Sequence, residues 1–135
     1  MNELTVDAKV DNLNVVLSFV DAELEKYECS MKTQMQIDIA VEELFVNIAN
    51  YAYSPVIGIA TVRVEVKDDP LSVYITFVDE GKPYDPLAKE DPDVSLSAEE
   101  REVGGLGIYM VKKSMDAVEY EYKDGSNILT IVKKL

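Results

Sequence analysis

Three short groups of residues in this sequence have the types and spacing for chemistry. Glu43, Asn47 and Tyr51 recur every fourth residue, a spacing that keeps side chains on one side of a helix, stepping about 40° around it. Glu42 and Asn50 flank them. A carboxylate and an amide oxygen one turn apart suit Mg²⁺, which takes oxygen ligands and completes its shell with water and phosphate. Asn is a poor helix former, so its place in an otherwise apolar helix fits a use for its amide oxygen. Alone, the stripe reads more readily as a polar helix surface.

The second group, Asp79-Glu80-Gly81-Lys82-Pro83-Tyr84, falls where the alternating Val73, Ile75 and Phe77 run out. A carboxylate at a buried strand end accepts a hydrogen bond from an amino group such as that of adenine. Gly81 lets a ligand base approach the backbone closely. A plain turn has the same residues. The third group is Gly104-Gly105-Leu106-Gly107-Ile108-Tyr109. Three glycines opening a helix leave free amides that form a phosphate site; flexibility at a helix start accounts for them too. No Gly-Lys-Ser/Thr follows, and Met110 stands where Gly-x-Gly-x-x-Gly needs its third glycine, so neither phosphate fingerprint applies.

The elements that must position these groups follow from periodicity. Glu3 to Val6 reads as a short strand. Leu13, Val16, Leu17, Val20 and Leu24 predict a first helix over about 11–28, capped by Asp11 or Asn12. A second helix over about 32–53 carries the apolar stripe Ile37, Val41, Leu44, Ile48 and Ala52 and stops at Ser54-Pro55. Thr61 to Lys67 alternates, Asp68-Asp69-Pro70 turns, and Leu71 to Val78 returns as a hairpin. From Asp79 to Val103 the pattern gives way to Gly, Pro and acids, with a capping box at Ser97-Ala98-Glu99-Glu100. A loop that long has a function. A third helix opens at Gly104 to Gly107 and buries Ile108, Val111 and Met115. Strands at Val118–Tyr122 and Ile128–Val132 then flank Asp124-Gly125. The order predicts one α+β domain over 1–135: a two-layer α/β sandwich with a mixed, mostly antiparallel sheet and three main helices on one face.

Composition narrows the function. The 135 residues and 47% hydrophobic content describe one folded core. A net charge of −13 argues against direct nucleic-acid binding or an anionic membrane surface, and no apolar run reaches bilayer length. The single Cys29, with neither a basic start nor an apolar leader in the first residues, predicts a cytoplasmic setting. The chain has no histidine, which removes histidine triads, histidine metal sites and any phosphohistidine of its own.

The order of the three groups resembles the GHKL ATPases (gyrase, MutL and sensor histidine kinases), whose ATP-binding fold is of the Bergerat type. The resemblance covers nearly the whole chain. Glu43-Leu44-Phe45-Val46-Asn47 is similar to the N box, Asp79-Glu80-Gly81 to the first glycine box and Gly104 to Gly107 to the second, with the ATP lid at about 82–103. Tyr51-Ala52-Tyr53 and Asp79 through Pro86 resemble most the bacterial anti-sigma-factor serine kinases.

That resemblance implies ATP and Mg²⁺ as cofactors, a sigma factor held inactive, and a serine phosphorylated on an anti-anti-sigma (STAS-type) partner. By position it implies Glu43 as general base, Asn47 as the Mg²⁺ ligand and Asp79 as the adenine reader. Gly104, Gly105 and Gly107 would give amides to phosphate, with Asn50, Tyr51, Gly81, Tyr84, Leu106 and Ile108 around the nucleotide. Arg101 would reach the terminal phosphate, and Ser126 would stand where many members have a threonine backing the Asp. Family members also pair as dimers. Two departures matter: Pro83 replaces a second glycine of the first glycine box, and sensor and phosphoacceptor modules are missing. The alternative is a nucleotide-gated anti-sigma or switch module with little or no phosphoryl transfer.

Overall fold

A computed structural model describes residues 1–88 and 105–135, except the side chains of Gly105 and Leu106. Five strands and three helices alternate as β1 (Asn2–Asp7), α1 (Leu13–Glu25), α2 (Met31–Asn47), β2 (Ile59–Lys67), β3 (Ser72–Asp79), α3 (Gly105–Ser114), β4 (Ala117–Lys123) and β5 (Ser126–Lys134). The sheet order is β1-β2-β3-β5-β4. Every neighbouring pair is antiparallel, so the sheet is wholly rather than mostly antiparallel.

Alternation decides which face is buried, because successive strand side chains point to opposite sides. On the inner face, Val62, Phe77 and Leu129 lie in one row and Val64, Ile75 and Ile131 in the next. These pack with Val16, Val20 and Leu24 of α1 and Ile37, Val41, Leu44 and Phe45 of α2. Val111 and Met115 of α3 complete the core. The other face carries threonine pairs, Thr5 with Thr61 at 3.1 Å and Thr76 with Thr130 at 3.0 Å, and the Glu3–Arg63 ion pair. Its polarity leaves the helices on one face only.

The predicted elements are found with shifted ends. Asn12 donates to the Asp7 carbonyl at 2.8 Å, and α1 has no side-chain cap bond, so a 3₁₀ turn over Val10–Asn12 starts the helix instead. Glu28, at φ 53°, turns the chain beyond Glu25 and ends α1 before the predicted residue 28. Ser30 caps α2 by accepting from the Thr33 amide at 3.2 Å. The stretch Ile48–Ala52, expected to continue α2, is wound as a π-turn. The capping box at 97–100 and most of the expected lid lie outside the described residues. Among the described residues, no helix is long and apolar enough to cross a membrane.

Candidate functional site

The ends of α2, β3 and β5 enclose a cavity of about 550 Å³ beside the start of α3. Its walls are mainly apolar, with Leu44, Ile48, Phe77, Ile108 and Leu129 among them. Asp79, Asn127 and Tyr120 set polar groups into that lining. A largely apolar cleft with a few converging polar groups fits a flat heterocycle that is recognised along one edge.

The π-turn shapes the near wall. Such a turn carries one extra residue per hydrogen-bonded ring and occurs often at functional sites. Here it brings Ala52 against the Asp79–Lys82 turn, where the Lys82 amide donates to the Ala52 carbonyl at 2.9 Å. A Cβ on Gly81 would collide with that same carbonyl. Within the chain, the close approach that requires glycine at 81 is to the π-turn that follows α2.

Tyr53 ties the strand ends together. Its hydroxyl donates to the Ile59 carbonyl at 2.6 Å and accepts from the Glu80 amide at 2.7 Å. Burial above all pushes this phenol up, which keeps the donor protonated.

Asp79, 6% exposed, closes the polar end. Its Oδ1 accepts from the Gly81 amide and from Asn127 Nδ2, each at 2.9 Å. Both bonds use one oxygen, leaving Oδ2 as the acceptor for a ligand. The register pairs Asp79 with Asn127 across β3 and β5. Ser126, expected to back Asp79, is instead paired with Lys123 at the hairpin and is absent from the lining. A shift of one residue reverses a strand side chain, so Asn127 takes the inward place.

The other end of the site is more open. Glu43 and Asn47 are both half-buried on α2, and Asn47 Nδ2 donates to Glu43 Oε1 at 3.3 Å. That bond turns the amide oxygen away from Glu43. Asn47 lines the cavity, while Glu43 lies one turn away, where a Cβ on Gly107 would run into its carboxylate. Gly107 thus lets the first turn of α3 close on α2. The leading amides of α3 have no partner within the helix, and they meet this end with the positive pole of the helix dipole.

This donor set fits a magnesium ion carried in with phosphate. Asn47 and Glu43 are hard oxygen donors, and no group of three or more His, Cys, Asp or Glu among the described residues could hold a metal. The remaining ligands would come from the nucleotide and water.

The structure thus gathers Asn47, Tyr51, Asp79, Tyr84 and Ile108 around one cavity. Gly81 and Gly107 make the contacts that shape it. Asn50 is exposed and does not line it. Gly105 and Leu106 open α3, and Arg101 and Gly104 lie outside the described residues. The sequence reading missed Asn127, Tyr120 and Tyr53. Asn127 had one signal: Asn is disfavoured in strands, yet it sits in the run Ser126-Asn127-Ile128-Leu129.

Comparison with known proteins identifies the family. The model of the family described as histidine kinase-like ATPase domain matches residues 6–133. A serine/threonine-protein kinase, BtrW, of Bordetella bronchiseptica is 26% identical over 102 residues, covering 76% of this chain and 71% of that protein. An anti-sigma F factor of Caldanaerobacter subterraneus is 27% identical over 134 residues, covering 99% and 92%. A solved Mycobacterium tuberculosis structure of RsbU and RsbW domains shares the fold with a TM-score of 0.67 at 14% identity, and this chain spans 33% of its length. With nearly its whole length matched, the chain belongs to the histidine kinase-like ATPase domain family.

Proposed function

We propose that the chain is an anti-sigma serine/threonine kinase of the cytoplasm, which binds Mg-ATP and phosphorylates a serine of an anti-anti-sigma partner while sequestering a sigma factor. The observation that carries the nucleotide reading is the buried Asp79, held at the end of an apolar cavity with one oxygen left for a ligand. The relatives named as a kinase and as an anti-sigma factor support the rest.

In this reading Asp79 Oδ2 accepts from the adenine amino group, and the apolar walls exclude water from the base. The first amides of α3, at Gly105, Leu106 and Gly107, donate to phosphate oxygens. The family resemblance would add Arg101 and Gly104 as further phosphate contacts. Asn47 would hold Mg²⁺ through its amide oxygen, with Glu43 beside it. When bound, the ion neutralises charge on the phosphates. Glu43 accepts the proton of the incoming serine hydroxyl, whose oxygen attacks the γ-phosphorus as ADP leaves. The chain has no histidine to carry the phosphoryl group, and in this reading the group passes to the partner's serine.

Incubation with γ-labelled ATP and a serine-bearing anti-anti-sigma protein tests this. Label on the partner's serine is the expected result. Nucleotide binding with no label would leave a nucleotide-gated binding module in its place.

A further inference from the structure

The outer side of α2 is apolar over its first half. Met31, Met35 and Ile39 are 79%, 57% and 58% exposed, and their spacing of four keeps them on one side of the helix. The buried residues Ile37, Ala40, Val41 and Leu44 occupy the other side. Tyr27, also exposed, stands in the turn that leads from α1 into the stripe. Large apolar side chains set in a row in water are unfavourable until something covers them, and methionine adapts readily to the shape of an incoming surface. The stripe is separate from the nucleotide cavity, which α2 lines from its other half through Leu44 and Asn47.

Charge indicates what covers it. Glu42 follows Ile39 by three residues and so borders the stripe, and Glu25 and Glu28 are exposed at the approach from α1. Lys32 is the single cation of α2, and Lys26 is held by Glu23 at 3.2 Å. A second copy would set like charge against like, since each chain carries −13, and an anionic bilayer is repelled in the same way. We propose that the outer face of the first half of α2 is a docking surface for a basic amphipathic helix of a partner protein. Its apolar side would cover Met31, Met35 and Ile39, and its Lys or Arg flanks would meet Glu25, Glu28 and Glu42. The stripe runs about 12 Å along α2, roughly two turns of a docked helix. The proposal does not depend on the Mg-ATP reading.

The test uses two synthetic peptides of leucine and lysine with one composition, the first arranged as an amphipathic helix and the second scrambled. Each is titrated into the full chain and followed by amide NMR spectra. The helical peptide should bind roughly tenfold or more tightly than the scrambled one and shift the signals of residues 31–42. The double change Met35→Gln and Ile39→Gln removes apolar surface without altering charge. It should weaken the helical peptide by about tenfold while leaving the melting curve in place, because both positions are exposed. Glu42→Gln should weaken it by only a few-fold and reduce its salt dependence. Equal binding of the two peptides, or no loss in the double variant, would overturn the proposal. So would a wild-type dimer in sedimentation, or binding to anionic vesicles, that the double variant abolishes, since the face would then belong to a second copy or to a membrane.

Discussion

The two ends of the cavity are built differently. At the base end, Asp79 and Asn127 lie on paired strands, both under 8% exposed. Each hydrogen bond there is 2.9–3.1 Å or shorter and ties side chain to backbone or strand to strand. At the phosphate end, Glu43 and Asn47 are half-buried on a single helix and share one bond of 3.3 Å. Rigid sheet geometry suits a flat base that must be told from its analogues, since prior ordering lowers the cost of binding. In the proposed reading, phosphates, metal ion and an incoming serine would enter and leave at the other end.

The contrast predicts that changes at the open end alter chemistry more than affinity. Glu43→Gln should cut serine phosphorylation by about 10²–10⁴-fold, leaving ATP affinity unchanged. Equal transfer by variant and wild type in a labelled-phosphate assay would remove Glu43 as the base. Asn47→Ala should lose most of the magnesium dependence of ATP binding, roughly a tenfold effect in titrations with and without chelator. Persistence of that dependence would place the metal ligand elsewhere.

At the closed end the same size of change should act on the fold. Gly81→Ala forces a methyl group into the Ala52 carbonyl and should cost about 1–3 kcal/mol in denaturant unfolding. A neutral result would mean that the π-turn after α2 yields.

The smallest effect lies away from both ends, between α1 and α2. Asp38 is pushed up to about 7, first by burial and then by the neighbouring Asp21 carboxyl. Its folded-state value is above the ordinary 3.8, so the folded chain holds this proton more tightly. The pair's cost to stability is absent below about pH 4, grows as pH rises and is complete above about pH 7. Asn at 38 donates to Asp21 at every pH. Asp38→Asn should therefore raise Tm by about 3 °C at pH 8 and flatten the fall between pH 4 and 7. A lower Tm at pH 8 would show that Asp38 has a stabilising partner there.

Much of this was legible because local pattern and global fold agree. The alternation of Val62, Val64 and Val66 and the stripe Ile37, Val41, Leu44 give the hairpin and α2 directly. The Glu43–Asn47 pair follows from helical spacing alone. Asn127 did not follow, because its meeting with Asp79 depends on β5 pairing with β3, residues 48 apart in sequence. The π-turn was also hidden: Ile48–Ala52 continues the apolar stripe of a normal helix, and only the contact with the Lys82 turn distinguishes it. Gly81 was read as a close approach to a ligand base, and the contact with the Ala52 carbonyl, distant in sequence, was not legible.

The central claim is that this cavity is a nucleotide site read by Asp79. Isothermal titration of wild type and Asp79→Asn with Mg-ATP tests it most directly. Wild type is expected to bind saturably at one site per chain, and the variant, where an amide replaces the carboxylate, to lose most of that affinity. No heat with wild type, or equal affinity in the two proteins, would contradict it.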